Sequence, residues 1–416
     1  MRKCFAALQR RGVELITFSV LLARFILERP DSISGWAPTW YALDYSMGSG
    51  SRLLIGSLLH LLSPNGVSAA GAQRFVSAAI VLCIALAALL FGRTYRAAGD
   101  AAKPAAALLI ALYAAAPYSV AYLWNPANFG RLDTYLLLLA LAAVLTVNIR
   151  RAPVKYALLA ALCVLALMVH QVFLFIYFPV AAAAFFVDAF AEYEPDKKKL
   201  PLVLGAFALI GAAFLYFQLF SGVRFSSVDA MAAALSAQSD LDISHSALDY
   251  EYFRSFLYGV QNHFLPFLRG ETPIRYALCE LILLSPAVAA FACLWTGMFR
   301  YLKKANVPVF RAPQPYLLLS LLLFVPAFAT TVDWNRWLAA LFACQTLMFC
   351  TLLLARDPAM RASSESLSGA IKRHLPETAL AVLFLATLEP FGARYFPREA
   401  VALYNFLRSL LLRLIG

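Results

Sequence analysis

The residues of this chain whose types and spacing could do chemistry are Asp44, Arg52, Arg131, Asp133, His170, Gln171, Asp333 and Arg336. All eight fall in breaks between apolar runs. Arginine binds phosphate oxygens bidentately, and a positioned carboxylate takes a proton from a hydroxyl. Histidine titrates near neutrality and donates to phosphate or to a sugar hydroxyl. Gathered in one place, these groups would handle a phosphorylated substrate.

Each motif also has a plainer explanation. Asp44 lies in ALDYSMGSGSRLLIG, where Gly48 and Gly50 permit a tight reversal and close approach of a ligand. Arg52 follows near the start of a short apolar helix, a place that favours anions; a local ion pair in a solvated loop is the competing reading. Asp133, after Arg131 in NFGRLDTY, stands at a helix start, where the dipole stabilises an acid whatever its function. His170 and Gln171 occupy a turn between hydrophobic runs, which a hydrogen-bonded structural histidine would also explain. The strongest local signal is Asp333-Trp334-Asn335-Arg336-Trp337, two ionisable groups and two indoles in a tight turn between two crossing runs. Charge in hydrocarbon costs about 2.5–3.5 kcal/mol even on a lenient scale, so these groups must face a wet cavity or one another. Interfacial anchoring by tryptophan plus a salt bridge is the alternative.

Other polar features carry less. Asp240-Leu241-Asp242 imitates a metal-binding triplet, but magnesium sites usually also need substrate phosphates, so no metal site is assigned. No cofactor is specified, with a divalent metal left as an option. Glu14, Arg24 and Glu389 lie in or near crossing helices, where snorkelling explains Arg24 as well as a polar path does.

The elements that must position these residues are membrane-spanning helices. Of 416 residues, 62% are hydrophobic and only 14% charged, and the mean hydropathy is +0.73, which excludes an ordinary soluble protein. Apolar runs recur at the length of about 20 residues that a crossing helix needs, without the alternating short segments of a barrel. The net charge of +12 is dispersed over short loops, so it points to membrane topology and not to nucleic acid. Basic loops also attract anionic lipid headgroups. The seven cysteines lie mostly within apolar runs, with no spacing suited to zinc or a disulfide framework.

The spacing predicts an all-α, polytopic bundle of eleven or twelve crossing helices forming one integral-membrane domain over residues 1–416. The first helix, 13–27, follows Arg2, Lys3, Arg10 and Arg11 and is read as uncleaved, with a cytoplasmic amino terminus. Residues 28–74 form an external loop with Trp36, Trp40 and Tyr41 as interfacial aromatics and Arg52–Leu62 as a short interfacial helix. Residues 221–273 form a long external loop, of the size that usually serves as lid or binding element. In it, Val228–Gln238 has helical character and Tyr250–Phe267 interleaves aromatic and polar residues as interfacial helices do. Ser363–Ser368 reads as a flexible internal loop, and the tail Val401–Ile415 as a short crossing or interfacial helix. No internal repeat suggests the inverted halves of a transporter. Counted through the membrane, all eight residues fall on the external side and the lysine- and arginine-rich loops on the other.

With these motifs in view, the chain resembles the GT-C superfamily of integral-membrane glycosyltransferases, which take sugars from polyprenyl phosphate carriers. The likeness rests on Asp44 in the first external loop, the short helix after it, and external acid and arginine motifs on a many-helix scaffold. The tracts DYSMGSGSRLLIG, HQ and DWNRW also look like those of bacterial membrane proteins linked to cell-surface polysaccharide. Gln171 departs from the pattern, since a His-Glu pair would be expected there. The resemblance implies a multi-pass protein of the bacterial plasma membrane, a polyprenyl-phosphate-linked sugar donor and a glycan or lipid acceptor. It implies Asp44 as general base, Arg52, Arg131 and Arg336 on the carrier phosphate, and His170, Asp133 and Asp333 orienting sugar hydroxyls or the arginines. Direct attack would invert the anomeric carbon. A polysaccharide polymerase or ligase would use the same arginines and histidine; a lipid-carrier flippase would need polar residues at mid-membrane, where this chain carries mostly Ala, Leu, Val and Phe.

Overall fold

Alanine- and leucine-rich runs without internal breaks become helices long enough to cross a membrane, where hydrocarbon would leave the backbone no partner but itself. The computed structural model describes residues 11–33, 35–64, 66–118, 120–254, 258, 261–262, 265–269, 281–330 and 333–388. Arg2, Lys3, Arg10, Glu389, the tail Val401–Ile415 and much of Tyr250–Phe267 lie outside the described residues. Within them the fold is all-α, relieved by one two-residue ladder.

In chain order the principal helices are α1 (Gly12–Glu28), α2 (Ala37–Ala42), α3 (Leu54–Leu62), α4 (Ala69–Ala97), α5 (Lys103–Ala115), α6 (Asp133–Leu145), α7 (Ala152–Val169), α8 (Phe178–Ala189) and α9 (Lys199–Phe220). The remainder are α10 (Val228–Gln238), α11 (Ser285–Lys304), α12 (Pro313–Ser320), α13 (Phe324–Thr330), α14 (Trp334–Leu354), α15 (Pro358–Arg373) and α16 (Leu375–Ala386). Five segments are long and apolar enough to cross a membrane: Ala69–Ala97, Lys103–Trp124, Ala152–Val169, Lys199–Phe220 and Trp334–Leu354. Four shorter apolar helices stand beside them, Asp133–Asn148, Phe178–Ala189, Pro313–Ala329 and Leu375–Ala386. Buried α14 packs against α4 and α8, while α9 leans on α7 with most of its apolar surface open.

Helix lengths shape the end of the bundle that holds the site. At 1.5 Å per residue the 29 residues of α4 extend about 43 Å, well beyond a hydrocarbon core of about 30 Å. Cys83, halfway along α4, donates through Sγ to the Thr134 carbonyl at 3.4 Å. The start of α6 therefore lies about 21 Å down α4 from its first residue. The starts of α6 and α14 adjoin through Asp133 and Arg336, and α2 packs against α3 and α4. Antiparallel β1 (Gly48–Ser49) and β2 (Gly222–Val223) tie the first loop to the long one, and Val67 bridges Ser239. The Asp240 carboxylate accepts from the Ala69 N–H at 2.6 Å, so this acid satisfies the start of α4.

Three expectations are revised. Trp40 and Tyr41, read as interfacial aromatics, are buried in α2, where Tyr41 accepts a 3.2 Å bond from Tyr135; Trp36 alone of the three is exposed. Ser363–Ser368 is no loop but the middle of α15. Asp357 accepts from the Met360 N–H at 2.8 Å at the helix start, Ser363 donates to the Leu294 carbonyl at 2.8 Å, and Ser368 accepts from the Ala105 N–H at 3.0 Å. Small hydroxyl side chains here admit close helix packing and bond backbone groups of neighbouring segments. Finally, DWNRW is not a turn: α14 begins at Trp334, and Asn335, Arg336 and Trp337 form its buried first turn.

Candidate functional site

The site is assembled from the starts of two helices and two tight loops. In 125–131 the Asn125 carbonyl accepts from the N–H groups of Asn128 and Phe129, at 2.8 and 2.9 Å. Gly130 has φ +89°, and a Cβ there would press on Ile33 and Ala37. This turn delivers Arg131, whose Nη1 lies 3.1 Å from Asp333 Oδ2. Asp133 is the first residue of α6, and Asp333 directly precedes α14, where its carbonyl accepts from the Trp337 N–H at 3.1 Å. Arg336 joins both acids: Nη1 donates to Asp333 Oδ2 at 2.7 Å, and Nε lies 3.4 Å from Asp133 Oδ2. Its guanidinium also sits 4.4 Å from the Trp337 ring centroid, a cation–π arrangement. Two helix amino termini meet here, adding positive potential to that of the arginines.

Arg52 reaches the same region from the opposite wall. Gly50 (φ +145°) and Arg52 itself (φ +73°) turn the chain sharply before α3. The Arg52 N–H donates to the Met168 carbonyl at 2.9 Å, and Ser51 Oγ donates to Gln171 Oε1 at 3.3 Å, which docks this loop on the end of α7. The guanidinium lies over the Trp40 ring at 5.3 Å and forms an ion pair with Glu251. Burial lowers the Arg52 pKa to about 10, with Arg336 acting in the same direction while Tyr252, Tyr250 and Asp133 oppose. Arg131 is likewise lowered by burial and by Arg336, against Asp333 and Asp133. Arg336 lies within electrostatic range of both Arg52 and Arg131.

His170 ends α7. Its Nδ1 accepts from the Val172 N–H at 3.1 Å, which leaves Nε2 as the N–H donor of a neutral ring. Burial, Arg52 and Arg336 hold its pKa well below 6.5. The ring is thus a fixed neutral donor, satisfied on one side by its own turn.

Asp44 stands apart. Its Oδ1 accepts from the N–H and Oγ of Ser46, and its Oδ2 lies 3.8 Å from His60 Nε2 on α3. Among the described residues it pairs with none of the arginines. Gly56 sets this geometry, because a Cβ there would overlap the Leu43 carbonyl oxygen; α2 and α3 can pack this closely only without one.

Seven of the eight residues read from the sequence therefore lie at one end of the bundle, and Asp44 pairs with His60 instead. Reading the sequence missed Glu251 and His60. Glu251 had one signal, a lone acid between Tyr250 and Tyr252 in an aromatic-rich stretch; His60 looked like part of an apolar helix. With Glu251, Asp133 and Asp333 opposite Arg52, Arg131 and Arg336, the network carries equal numbers of both charges. Among the described residues no group of three His, Cys, Asp or Glu side chains could hold a metal ion. An open groove lined by Asp229, Ser236, Asp242 and His245 lies on the α10 segment, among residues other than those of the network. In comparisons with known proteins no family model, no curated protein and no solved structure matches this chain, so its function is read from the chemistry of the site.

Proposed function

We propose that the chain is an integral-membrane glycosyltransferase, similar to the GT-C superfamily, that moves a sugar from a polyprenyl phosphate carrier to an acceptor hydroxyl. The observation that carries this reading is the cluster of Arg131 and Arg336 about Asp333 and Asp133, with Arg52 from a third part of the chain in the field of Arg336, at one end of an apolar bundle. A lipid-borne anion would present its phosphate at that level. The acceptor oxygen bonds to the anomeric carbon and its proton passes to the Asp44 carboxylate. The bond from that carbon to the carrier phosphate breaks, and the phosphate departs with the electron pair. Arginines stabilise the departing charge, His170 Nε2–H donates to an oxygen of the sugar or phosphate, and Asp133 and Asp333 hold the arginines in place. Attack opposite the leaving group inverts the anomeric carbon. Asp44 suits the role of base because no arginine neutralises it.

In this reading the site faces outward from a bacterial plasma membrane with the amino terminus cytoplasmic. The short apolar helices, α1 and α11 then cross as well, which with the tail gives eleven or twelve spans. Basic groups at the other end support that orientation: Arg96 pairs with Glu14, and Lys155 and Lys199 lie 3.3 and 3.2 Å from Asp188 Oδ1.

The test uses purified protein in nanodiscs with radiolabelled polyprenyl-phosphate sugars and a membrane glycan extract as acceptor. Asp44→Asn should lower transfer by about 10²–10⁴-fold, the usual worth of a general base. Undiminished transfer would remove Asp44 from that role, and no transfer by the wild type from any carrier-linked sugar would overturn the reading.

A further inference from the structure

Arg52 differs from the other two arginines in what neutralises it. Arg131 and Arg336 are held by Asp333 and Asp133, acids at helix starts within the bundle. The acid on Arg52 comes instead from the long external stretch: Glu251, in the π-helical turn Asp249–Phe253. π-turns are rare and frequently mark functional sites. The stretch is tied down at Gly222–Val223, at Ser239–Asp240 and through the Ser244 N–H to Thr39 Oγ1 at 2.9 Å, all before Glu251 in sequence.

Tyr252, the residue after Glu251, lies in the field of Arg52, and Tyr45 lies in the field of Tyr252. Among the described residues the phenol oxygens of both are closed to solvent and have no hydrogen-bond partner. Burial raises Tyr252 to about 12, within the field of Arg52 and beside Tyr45, so it is a donor at every physiological pH. Buried donors left unbonded are costly. A planar carboxylate satisfies the guanidinium and leaves both phenols unused. A tetrahedral phosphate offers enough oxygens for the guanidinium and for both hydroxyls.

We propose that Arg52, Tyr45 and Tyr252 form the subsite for the phosphate of the lipid carrier, and that Glu251 occupies this subsite until the phosphate displaces it. The inference rests on the carrier-lipid reading above and adds where the phosphate sits and what it must push aside. Loading then releases the Glu251 turn, so carrier binding and movement of the external stretch are one event.

Binding of farnesyl phosphate, a short polyprenyl monophosphate, to the purified full chain in nanodiscs tests this. Glu251→Gln removes the competing anion and should tighten binding about tenfold or more, tenfold being about 1.4 kcal/mol. Glu251→Asp, an acid one carbon shorter, should fall between. Tyr252→Phe deletes only the waiting donor and should weaken binding several-fold. In the wild type, hydrogen exchange over 249–254 should rise when farnesyl phosphate is added. Farnesol, which lacks phosphate, should bind both Glu251→Gln and wild type alike; an equal gain with farnesol would overturn the subsite. Binding of farnesyl phosphate that is unchanged or weakened by Glu251→Gln would overturn the place-holding role and leave the carrier reading standing. Failure of both the wild type and Glu251→Gln to bind farnesyl phosphate would overturn the carrier reading itself.

Discussion

Replacing Arg336 by Met should destabilise the protein by about 3–5 kcal/mol, far more than replacing Arg131. Asp133 and Arg336 have side chains only 4% and 9% exposed, with Oδ2 and Nε 3.4 Å apart. At an effective dielectric of about 20, charges at that separation attract by about 5 kcal/mol, set against their desolvation. Removing one partner of such a pair leaves a buried charge uncompensated, which costs about 3–5 kcal/mol. Asp133 Oδ1 already lacks a hydrogen-bond partner among the described residues. By contrast, Arg131 and Asp333 are 24% and 26% exposed, and Asp333 keeps Arg336 when Arg131 is lost. Solvent screening then limits Arg131→Met to about 1 kcal/mol or less. The double variant Asp133→Asn with Arg336→Met removes the stranded charge and should recover about 2 kcal/mol relative to Arg336→Met alone, a coupling of the size neighbouring residues show. Unfolding by dodecyl sulfate in mixed micelles, followed by helical circular dichroism, measures all three. Equal losses for Arg336→Met and Arg131→Met, or a double variant whose cost is the plain sum, would refute a buried, coupled pair.

Two further outcomes follow from the same geometry. Because His170 is held neutral in the folded protein while an unfolded histidine titrates near 6.5, the unfolded state binds the extra proton in acid. Stability should be flat in this respect above about pH 6.5 and fall below it, by at most about 1.4 kcal/mol per pH unit. Nitrogen NMR should find the Nε2–H tautomer still neutral at pH 5.5, and His170→Gln should flatten the acid limb; an imidazolium signal at that pH would contradict this. Gly56→Ala should cost about 1–3 kcal/mol as an overpacked contact, and by forcing α3 from α2 it should also lower transfer at least tenfold. A variant that melts and transfers like the wild type would show that this contact positions nothing.

The all-α character and the long apolar helices were legible in the sequence because the constraint acts on each segment separately: in hydrocarbon a run of about 20 apolar residues must close its own hydrogen bonds, and five segments meet that length. Val228–Gln238 as helix and the helix after Arg52 followed from local pattern in the same way. Counting apolar runs also put Arg131, Asp133, Asp333 and Arg336 at one end, where the structure pairs them. Composition misled where chemistry was dual. Serine is common in loops, yet in α15 its hydroxyls bond the Leu294 carbonyl and the Ala105 N–H across a close helix contact.

The order of residues along the chain shows which of them are polar where the surroundings are apolar. That alone restricts the chemistry to a few side chains. Only the tertiary structure decided their partners. Arg131 meets Asp333 across 202 residues, and Arg52 meets Glu251 from a different segment. Asp44, next to Arg52 in the chain, turns to His60 instead. Pairing of this kind leaves no periodicity to read, because it arises from how helices distant in the chain stack: the starts of α6 and α14 adjoin, and a distant turn places its acid on Arg52.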